Sequence, residues 1–311
     1  MNDRMVVFGA SGFLGRHFVA AAAARGGAVR AVTRSANLPA MSSAVEWVTA
    51  DLAVPASLDR ALDEAATVVN LAYSPQLSAA QNQQAVDNLI SACRHRKVRR
   101  LVHCSTAVVA GATPAPCVAE DTDCLPATPY ERCKWAIEQR VVAAGKTGLD
   151  VVVLRPTAIV GPGGANLASL ARNLISGSAL INYCRRSLYA DRQMHLVPVS
   201  TVVAAILHAA RLPGRMAGEV FMVAADDDAD NRFSSVEAIL RGALGLAPAR
   251  IPAFPVSREL LSIALRLRGR SDRGQERNYS WEKLRLTGFS PAETVADAVR
   301  SYGAWFRNHE Q

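Results

Sequence analysis

The sequence has few cysteines, and none is spaced for a metal site or a redox motif. Its 6 cysteines include no C-x-x-C pair, and its 6 histidines are scattered along the chain. Zinc sites and small disulfide frameworks both need clustered side chains of these types. We therefore expect no metal site and no disulfide framework, but reduced thiols that are mostly buried.

Long apolar runs are also missing. No hydrophobic run approaches the roughly 20 residues that a membrane-spanning helix needs. The first strand-like segment begins at Met5, which leaves no room for a secretory leader. These two absences predict a cytoplasmic protein without stable membrane insertion.

Acidic residues are outnumbered and aromatic residues are scarce. Lysine and arginine total 35 against 27 aspartates and glutamates, a formal net charge of +8, and aromatics make up 6% of the chain. The basic clusters at 94–100, 185–186 and 266–273 lack the interleaved aromatics of a nucleic-acid stacking surface. The charge therefore favours an anionic small molecule over nucleic acid as the partner.

A glycine-rich turn follows the first predicted strand. Its glycines have the spacing G-x-x-G-x-x-G at positions 9, 12 and 15. The first allows a sharp turn, the second lets backbone approach a pyrophosphate, and the third lets the following helix pack closely. The helix N-terminus then offers free N–H groups to phosphates. We predict a dinucleotide-binding loop formed by Gly9, Ser11, Gly12, Phe13, Leu14 and Gly15.

Apolar strands alternate with helical segments along much of the chain. After the first strand, strands are predicted at 28–33, 45–48, 67–72, 100–104, 151–154 and 219–223, and helices at 56–66, 76–97, 129–144, 166–177 and 199–211. Fully apolar strands separated by helices are typical of a buried parallel sheet. The pattern predicts an α/β fold with a Rossmann-type doubly wound parallel sheet and a smaller C-terminal substrate-binding lobe. The NAD(P)-binding core is assigned to 1–162, completed near 195–224, and the lobe mainly to 163–311.

The second strand ends without the carboxylate that commonly holds the adenosine ribose hydroxyls. The sequence there is Thr33-Arg34-Ser35. Arg34, with Arg30 as a second candidate, is suited instead to a 2′-phosphate. We therefore predict that NADP is preferred, with NAD as the alternative.

Two later strand ends supply further candidate cofactor contacts. Asp51 and Leu52 follow the third predicted strand, where a side chain meets the adenine edge. Leu71, Ala72 and Tyr73 lie at the end of the fourth strand and are expected to line the cofactor.

Tyr130, Lys134 and Thr106 form a candidate catalytic set. The tyrosine and the lysine are four residues apart on one predicted helix, so they project from one face. A phenol with an ordinary pKa near about 10 is a poor acid or base at neutral pH, but a neighbouring ammonium favours the phenolate and eases proton transfer. Thr106, at the end of the fifth strand, can hydrogen-bond a substrate oxygen beside the phenol. This set indicates hydride transfer between a nicotinamide and a carbonyl or hydroxyl carbon.

Together these motifs resemble the extended short-chain dehydrogenase/reductase family, in its NAD(P)-dependent epimerase/dehydratase branch. The matching segments are GASGFLG at 9–15, DL at 51–52, ST at 105–106 with Gly111, Tyr130 with Lys134, RP at 155–156 with GPG at 161–163, and KL at 283–284 with GFSP at 288–291. The resemblance implies that Thr106, Tyr130 and Lys134 are catalytic and that Lys134 contacts the nicotinamide ribose. It also implies that Pro156 and the backbone that follows, to Ile159, support the nicotinamide. A homodimer through the helices at 76–97 and 129–144 is a further implication.

The chain departs from many sugar-nucleotide members of that family at two places. It has Val109-Ala110-Gly111 where they have V-Y-G, and Pro198-Val199-Ser200-Thr201 where they have H-V-x-D-D. We expect the hydroxyls at the second place to cap the helix that begins there.

Signals for the substrate are weaker. Asn166, Arg185 and Arg192 are candidate substrate-binding residues, since arginine forks match phosphate geometry. Residues 260–270 predict a basic amphipathic helix, for which packing on the lobe is favoured over a membrane surface. His195 is expected to be structural, because the tyrosine already supplies the acid–base group.

The simplest function that fits is an NADP-dependent nucleotide-sugar 4-keto reductase, acting on an anionic nucleotide sugar. The alternatives are a nucleotide-sugar epimerase with retained NAD and a reductase of a non-sugar ketone. A non-catalytic dinucleotide-binding sensor is least favoured, because the set of Thr106, Tyr130 and Lys134 is intact.

Overall fold

The computed structural model of the chain describes residues 4–35, 45–189, 191–249, 254 and 277–310; the helix predicted at 260–270 lies outside them. The strands are β1 Met5–Phe8, β2 Val29–Thr33, β3 Val45–Thr49, β4 Thr67–Asn70, β5 Arg100–Cys104, β6 Cys117–Val118, β7 Val151–Pro156, β8 Ala158–Val160, β9 Leu196–Pro198, β10 Glu219–Val223 and β11 Asn278–Tyr279. The helices are α1 Phe13–Ala24, α2 Pro55–Ala61, α3 Ala79–His95, α4 Pro129–Lys146, α5 Ala168–Ser176, α6 Ala179–Tyr189, α7 Val199–Ala209, α8 Phe233–Ala243, α9 Glu282–Arg285 and α10 Val295–His309. Within the described ranges, no helix has both the length and the apolar character needed to cross a bilayer.

Seven parallel strands form the central sheet in the order β10-β7-β5-β4-β1-β2-β3. Alternate side chains of each strand enter opposite apolar layers. In β1, Val6 and Phe8 pack in the layer that contains α2, α3 and α4, whereas Val7 packs in the layer that contains α1 and α7. Burial on both faces explains why the strands are apolar throughout. The predicted Rossmann-type doubly wound sheet is confirmed.

The strand order reverses between β1 and β4. From the central β1 the chain first winds outward through β2 and β3, then returns to build the other half from β4 to β10. In open sheets of this kind, ligands bind at the carboxyl ends of the strands where the order reverses. The glycine-rich loop after β1 lies at this point.

Helices outside the sheet layers form a further apolar core. Val236 and Leu240 of α8 pack in one cluster with Val299, Tyr302 and Phe306 of α10. Neither of these helices, nor α6, is among the helices predicted from the sequence. All three helices lie within 163–311, the range to which the substrate lobe is mainly assigned.

The start of α7 differs from expectation. Pro198 occupies the N-cap position, and no side chain caps the helix. Instead, Ser200 Oγ donates to Glu293 Oε1 at 2.6 Å, and Thr201 Oγ1 accepts from the Ala292 N–H at 3.2 Å. The predicted hydroxyl cap is therefore wrong, because both hydroxyls fasten α7 to the segment that precedes α10.

Candidate active site

The candidate cofactor residues follow the carboxyl ends of parallel strands. The glycine-rich loop follows β1, Arg34 follows β2, Asp51 and Leu52 follow β3 closely, and 71–73 follow β4. Thr106 lies just beyond β5, Pro156 ends β7, and Ile159 lies in β8. Because the seven strands of the central sheet are parallel, the segments that follow them lie along one edge of that sheet, whereas β8 pairs with β9 in a separate small sheet.

The glycine-rich loop has the shape of a phosphate cradle. Gly9 has φ +79°, and a Cβ there would lie 2.8 Å from the Ala72 nitrogen. A Cβ at Gly15 would lie 2.1 Å from the Gly9 carbonyl oxygen, so only glycine allows the helix to approach this closely. Gly12 is the N-cap of α1 and provides no side-chain cap. The first-turn N–H groups are therefore available to an anion, and the loop fits a dinucleotide pyrophosphate.

The two arginines of β2 have different surroundings. Arg34 is exposed just beyond the carboxyl end of the strand. Arg30 is buried, and its guanidinium donates to Glu46 Oε2 at 2.9 Å and to the carbonyl oxygens of Ala61 and Asp63 at 3.1 and 2.7 Å. These contacts hold Arg30 at the amino half of β2, so it is not a ligand for a 2′-phosphate.

A buried amide shapes the loop after β4. Asn70 Oδ1 accepts from the Ala72 N–H at 3.1 Å, and its Nδ2 lies 3.2 Å from His103 Nδ1. Asn70 and His103 are directly paired across β4 and β5. Neither residue belongs to the motifs identified in the sequence, although a polar side chain near the end of a buried strand is a usable signal.

Thr106 begins a short 3₁₀ turn over Ala107–Ala110, and its Oγ1 accepts from the Val108 N–H at 3.4 Å. The turn ends at Gly111, which has φ +62° and bridges to Leu125. A Cβ at Gly111 would lie 1.9 Å from the Leu125 carbonyl oxygen. The loop that carries Thr106 is thus fixed at both ends.

Tyr130 lies in the first turn of α4, and capping interactions hold this turn in place. Pro129 begins the helix, and a capping box joins Thr128 and Glu131. Thr128 Oγ1 accepts from the Glu131 N–H at 3.2 Å, and Glu131 Oε2 accepts from the Thr128 N–H at 3.1 Å. A full capping box satisfies two helix-start donors at once, so the position of Tyr130 is well defined.

Lys134 is only 4% exposed, and its Nζ donates to the Cys104 carbonyl oxygen at 3.2 Å. This carbonyl precedes Thr106 by two residues, so the ammonium and the hydroxyl of the set lie at the same strand end. Burial lowers the pKa of the Lys134 ammonium, although the nearby Cys104 and Glu138 oppose that effect. Tyr130 is 45% exposed, and the burial of the rest of the residue raises the pKa of its phenol.

A buried ion pair supports this strand end. Glu138, one turn after Lys134, is fully buried and forms a salt bridge of 2.6 Å with Arg155 Nη2. Its Oε2 accepts from Ser105 Oγ at 2.5 Å. Glu138 lies outside the motifs identified in the sequence, but its i+4 spacing from Lys134 places it on the same helix face and is the signal for its role.

The three predicted substrate-binding residues each make local contacts. Asn166 Nδ2 donates to the Ile159 carbonyl oxygen at 2.7 Å and braces that loop. Arg185 Nη1 donates to Asn182 Oδ1 at 3.3 Å within α6. Arg192 is exposed, with its guanidinium 5.6 Å from the centre of the Tyr189 ring.

His195 has a carboxylate partner. Its Nδ1 lies 2.7 Å from Asp226 Oδ2, which also accepts from the Tyr279 N–H at 2.8 Å. The Tyr279 ring meets the imidazole edge-on at 5.1 Å. These contacts join the start of β9 to β11, in keeping with the structural role expected for His195.

Comparison with characterised sequences gives relatives at moderate identity. The chain is 30% identical over 211 residues to sterol demethylase protein B of Methylococcus capsulatus, covering 64% of this chain and 63% of the relative. It is 33% identical over 175 residues to 2-alkyl-3-oxoalkanoate reductase of Stenotrophomonas maltophilia, covering 53% of each. It is 30% identical over 195 residues to dTDP-4-dehydrorhamnose reductase of Mycobacterium tuberculosis, covering 58% of this chain and 59% of the relative. The matches thus span between about half and just under two thirds of these relatives.

Solved structures with the same fold include cofactor complexes. WbmH of Bordetella bronchiseptica, in complex with NAD⁺, aligns over 100% of both chains with a TM-score of 0.75 at 18% identity. RMD of Pseudomonas aeruginosa, complexed with NADPH, aligns over 99% of this chain and 100% of the other, with a TM-score of 0.68 at 21% identity. The model of the NAD dependent epimerase/dehydratase family matches residues 5–224. The chain therefore belongs to the NAD dependent epimerase/dehydratase family.

Proposed function

We propose that this protein is a ketone reductase in which Thr106, Tyr130 and Lys134 are the catalytic residues. The observation that carries the proposal is the position of the Lys134 ammonium. The Lys134 side chain is buried one helical turn from Tyr130. Its Nζ donates a hydrogen bond to the carbonyl oxygen of Cys104, which ends β5 two residues before Thr106. This arrangement supports proton transfer to a carbonyl oxygen held between a hydroxyl and a phenol.

Tyr130 can supply the proton that a carbonyl oxygen gains on reduction. A phenol with its ordinary pKa near about 10 is already protonated at neutral pH, and burial raises the pKa of Tyr130 further. Thr106 Oγ donates a hydrogen bond to the carbonyl oxygen, and Tyr130 transfers its proton to the same oxygen. The Lys134 ammonium stabilises the phenolate left behind, which regains a proton from solvent through the exposed part of Tyr130. When bound, the reduced nicotinamide supplies the hydride that the carbonyl carbon gains.

We propose NADP as the preferred cofactor. The exposed guanidinium of Arg34 and the absence of a carboxylate between Thr33 and Ser35 support this preference. The glycine-rich loop holds the pyrophosphate, and Asp51 with Leu52 lies towards the adenine. Lys134, Pro156 and the backbone to Ile159 hold the nicotinamide end.

For the substrate, we propose a nucleotide-linked 4-keto sugar bound by the lobe formed mainly by 163–311. The similarity to dTDP-4-dehydrorhamnose reductase supports this choice, as does the net charge of +8. Arg185 and Arg192 are the proposed diphosphate ligands, with Asn166 at the entrance to the lobe.

A reductase of an apolar ketone is the second candidate, because exposed apolar side chains lie next to the catalytic set. Val108, two residues after Thr106, is 39% exposed, and Leu125, which the Gly111 bridge holds at the same loop, is 50% exposed. The similarity to 2-alkyl-3-oxoalkanoate reductase points in the same direction. An epimerase with retained NAD differs from both candidates in consuming no cofactor.

One experiment separates these functions. The full chain is incubated with NADPH or NADH and a panel of 4-keto nucleotide sugars and long-chain β-keto acids, and products are identified by mass spectrometry. Equal amounts of oxidised cofactor and alcohol are expected with one substrate class. Tyr130→Phe is expected to lower turnover at least about a hundredfold, because it removes the general acid, while cofactor affinity changes less than about threefold. Full activity of that variant would remove the proposed mechanism; isomerised sugar without net cofactor oxidation would identify an epimerase instead.

We further propose that the protein acts in the cytoplasm as a homodimer. The dimer contact is assigned to the outer faces of α3 and α4. Light scattering of the purified chain tests the second part of this proposal, with a monomer mass as the contrary result.

A further inference from the structure

The aromatic ring of Tyr73 contacts both members of the proposed proton-transfer pair. Its ring meets that of Tyr130 edge-on, with centroids 5.3 Å apart and an interplanar angle of 81°. The Lys134 Nζ lies over the same ring, 5.4 Å from its centroid. One side chain from the loop after β4 therefore lies against two residues of α4 that are a helical turn apart.

Both contacts have favourable electrostatics. The face of an aromatic ring is electron-rich, so it attracts the Lys134 ammonium, and such contacts strengthen when the cation is shielded from water. An edge-on pair of rings is a favoured arrangement that fixes relative orientation. The buried Lys134 has the Cys104 carbonyl oxygen on another side. Tyr73 thus supplies a second attraction that holds the ammonium near the phenol.

The loop that carries Tyr73 is itself anchored. The preceding residue, Ala72, donates its N–H to Asn70 Oδ1, and Asn70 is paired with the buried His103. The phenol of Tyr73 also interacts with the thiol of Cys133, which is 5% exposed in α4. Contacts at both ends of the side chain explain how a loop residue holds its ring in one place.

We propose that Tyr73 is a positioning residue, whose ring keeps Tyr130 and Lys134 in the geometry needed for proton transfer. This inference rests on the proposed function, since it assigns a role within the same site. The aromatic ring is the required feature, because it is the part of the side chain that contacts both Tyr130 and Lys134.

The pH dependence of the pair has several contributors besides Tyr73. The titratable groups that act on Tyr130 or Lys134 from the elements packed around them are Cys104 and His103 of β5 and Cys133 and Glu138 of α4. A Tyr73→Leu substitution leaves all four in place and keeps an apolar side chain against Tyr130. It therefore removes the ring without removing the burial that raises the pKa of Tyr130.

The test compares Tyr73→Leu with the matched variant Tyr73→Phe, and uses Tyr73→Met as a second ringless variant if the leucine variant is unstable. Loss of the ring weakens the hold on the Lys134 ammonium, so the phenolate of Tyr130 is stabilised less. We expect the pKa of Tyr130 to rise by about 0.5–1 in the ringless variants and kcat to fall about tenfold, with KM within about threefold. Tyr73→Phe keeps the ring and removes a phenol that raises the pKa of Tyr130, so the pKa of Tyr130 is not expected to rise in this variant.

The pKa of Tyr130 is obtained without turnover, from the pH titration of phenolate absorbance. In each background, the titration of the protein carrying Tyr130→Phe is subtracted. An unchanged Tyr130 pKa in the ringless variants would overturn the positioning role, and so would a Tyr73→Phe protein that behaves like Tyr73→Leu. Failure of the proposed function would instead appear as an active Tyr130→Phe protein or as no turnover of the ketone panel. The phenolate titration needs no turnover, so it still measures the effect of Tyr73 on the pKa of Tyr130 in that case.

Discussion

Two buried side chains influence the charge at the edge of the sheet where the proposed catalytic residues lie. Lys134 and His103 are both nearly inaccessible to solvent, and burial lowers the pKa of each. For His103 the neighbouring Lys134 ammonium lowers the pKa further, well below the ordinary range. A neutral imidazole leaves one ring nitrogen free to accept from the Asn70 amide, and that amide fixes the loop that bears Tyr73.

The neutral state of His103 predicts acid-sensitive stability. The unfolded chain binds a proton at this imidazole below about pH 6.5, whereas the folded protein does not. Stability contributed by the neutral state is therefore present above that pH and is lost as the pH falls, by up to about 1.4 kcal/mol per pH unit. Urea unfolding of wild type and His103→Gln between about pH 7.5 and 5 measures the difference.

The glutamine variant is expected to have the flatter profile, because its amide oxygen accepts from Asn70 and does not titrate. His309→Gln is the matched control, since His309 is exposed near the end of α10. Parallel profiles for wild type and His103→Gln would mean that the imidazole is not kept neutral by the fold.

At the scale of elements, α4 is organised by the Glu138–Arg155 pair. Breaking a buried pair leaves an uncompensated charge and costs about 3–5 kcal/mol, whereas an exposed pair is worth below about 1 kcal/mol. The same helix carries an exposed pair for comparison, Arg140 with Asp87 at 3.1 Å. Glu138→Ala is expected to destabilise the protein by the larger amount and Arg140→Ala by the smaller one.

Chemical unfolding of both variants measures these costs, with the midpoint and the slope compared to separate stability from changes in compactness. The slope is expected to remain constant. Equal small effects would show that the buried network does not anchor α4 to β7. Reduced kcat in Glu138→Ala is a second expected result, because Ser105 precedes Thr106 and loses its carboxylate acceptor.

The sequence predicts best those elements whose residue pattern follows from a single local requirement, such as burial on both faces of a strand. Strands such as β7 were predicted because both faces are buried, which requires apolar residues throughout. The α10 helix was missed although Thr294 caps it and Tyr302 and Phe306 lie at helical spacing. Ser200 and Thr201 could not be placed from local pattern, because their partners at 292–293 are about ninety residues away in the chain. Likewise the Lys134–Tyr73 contact depends on the approach of α4 to β4, which no local spacing contains.

At the scale of the whole molecule, positive charge acts on cofactor binding in two ways: through the formal net charge of +8 and through single arginines at the binding site. A general positive field attracts any anionic dinucleotide, whereas one arginine placed at the ribose distinguishes the 2′-phosphate of NADP from the hydroxyl of NAD. Removing a charge far from β2 changes the first effect and leaves the second intact. Arg34→Ser and Arg300→Ser therefore form a matched pair, since each removes one exposed arginine and Arg300 lies on α10.

Thermal unfolding with NADPH or NADH measures both effects, because a ligand stabilises the folded chain by RT ln(1 + [L]/Kd). The wild-type protein and Arg300→Ser are expected to gain more in Tm from NADPH than from NADH. Arg34→Ser is expected to lose this difference through an NADPH Kd raised about 10- to 100-fold, since a charge-assisted contact to phosphate contributes roughly 1.5–3 kcal/mol. Equal losses in the two variants would assign the preference to net charge, and a greater gain from NADH in the wild-type protein would reverse the proposed cofactor choice.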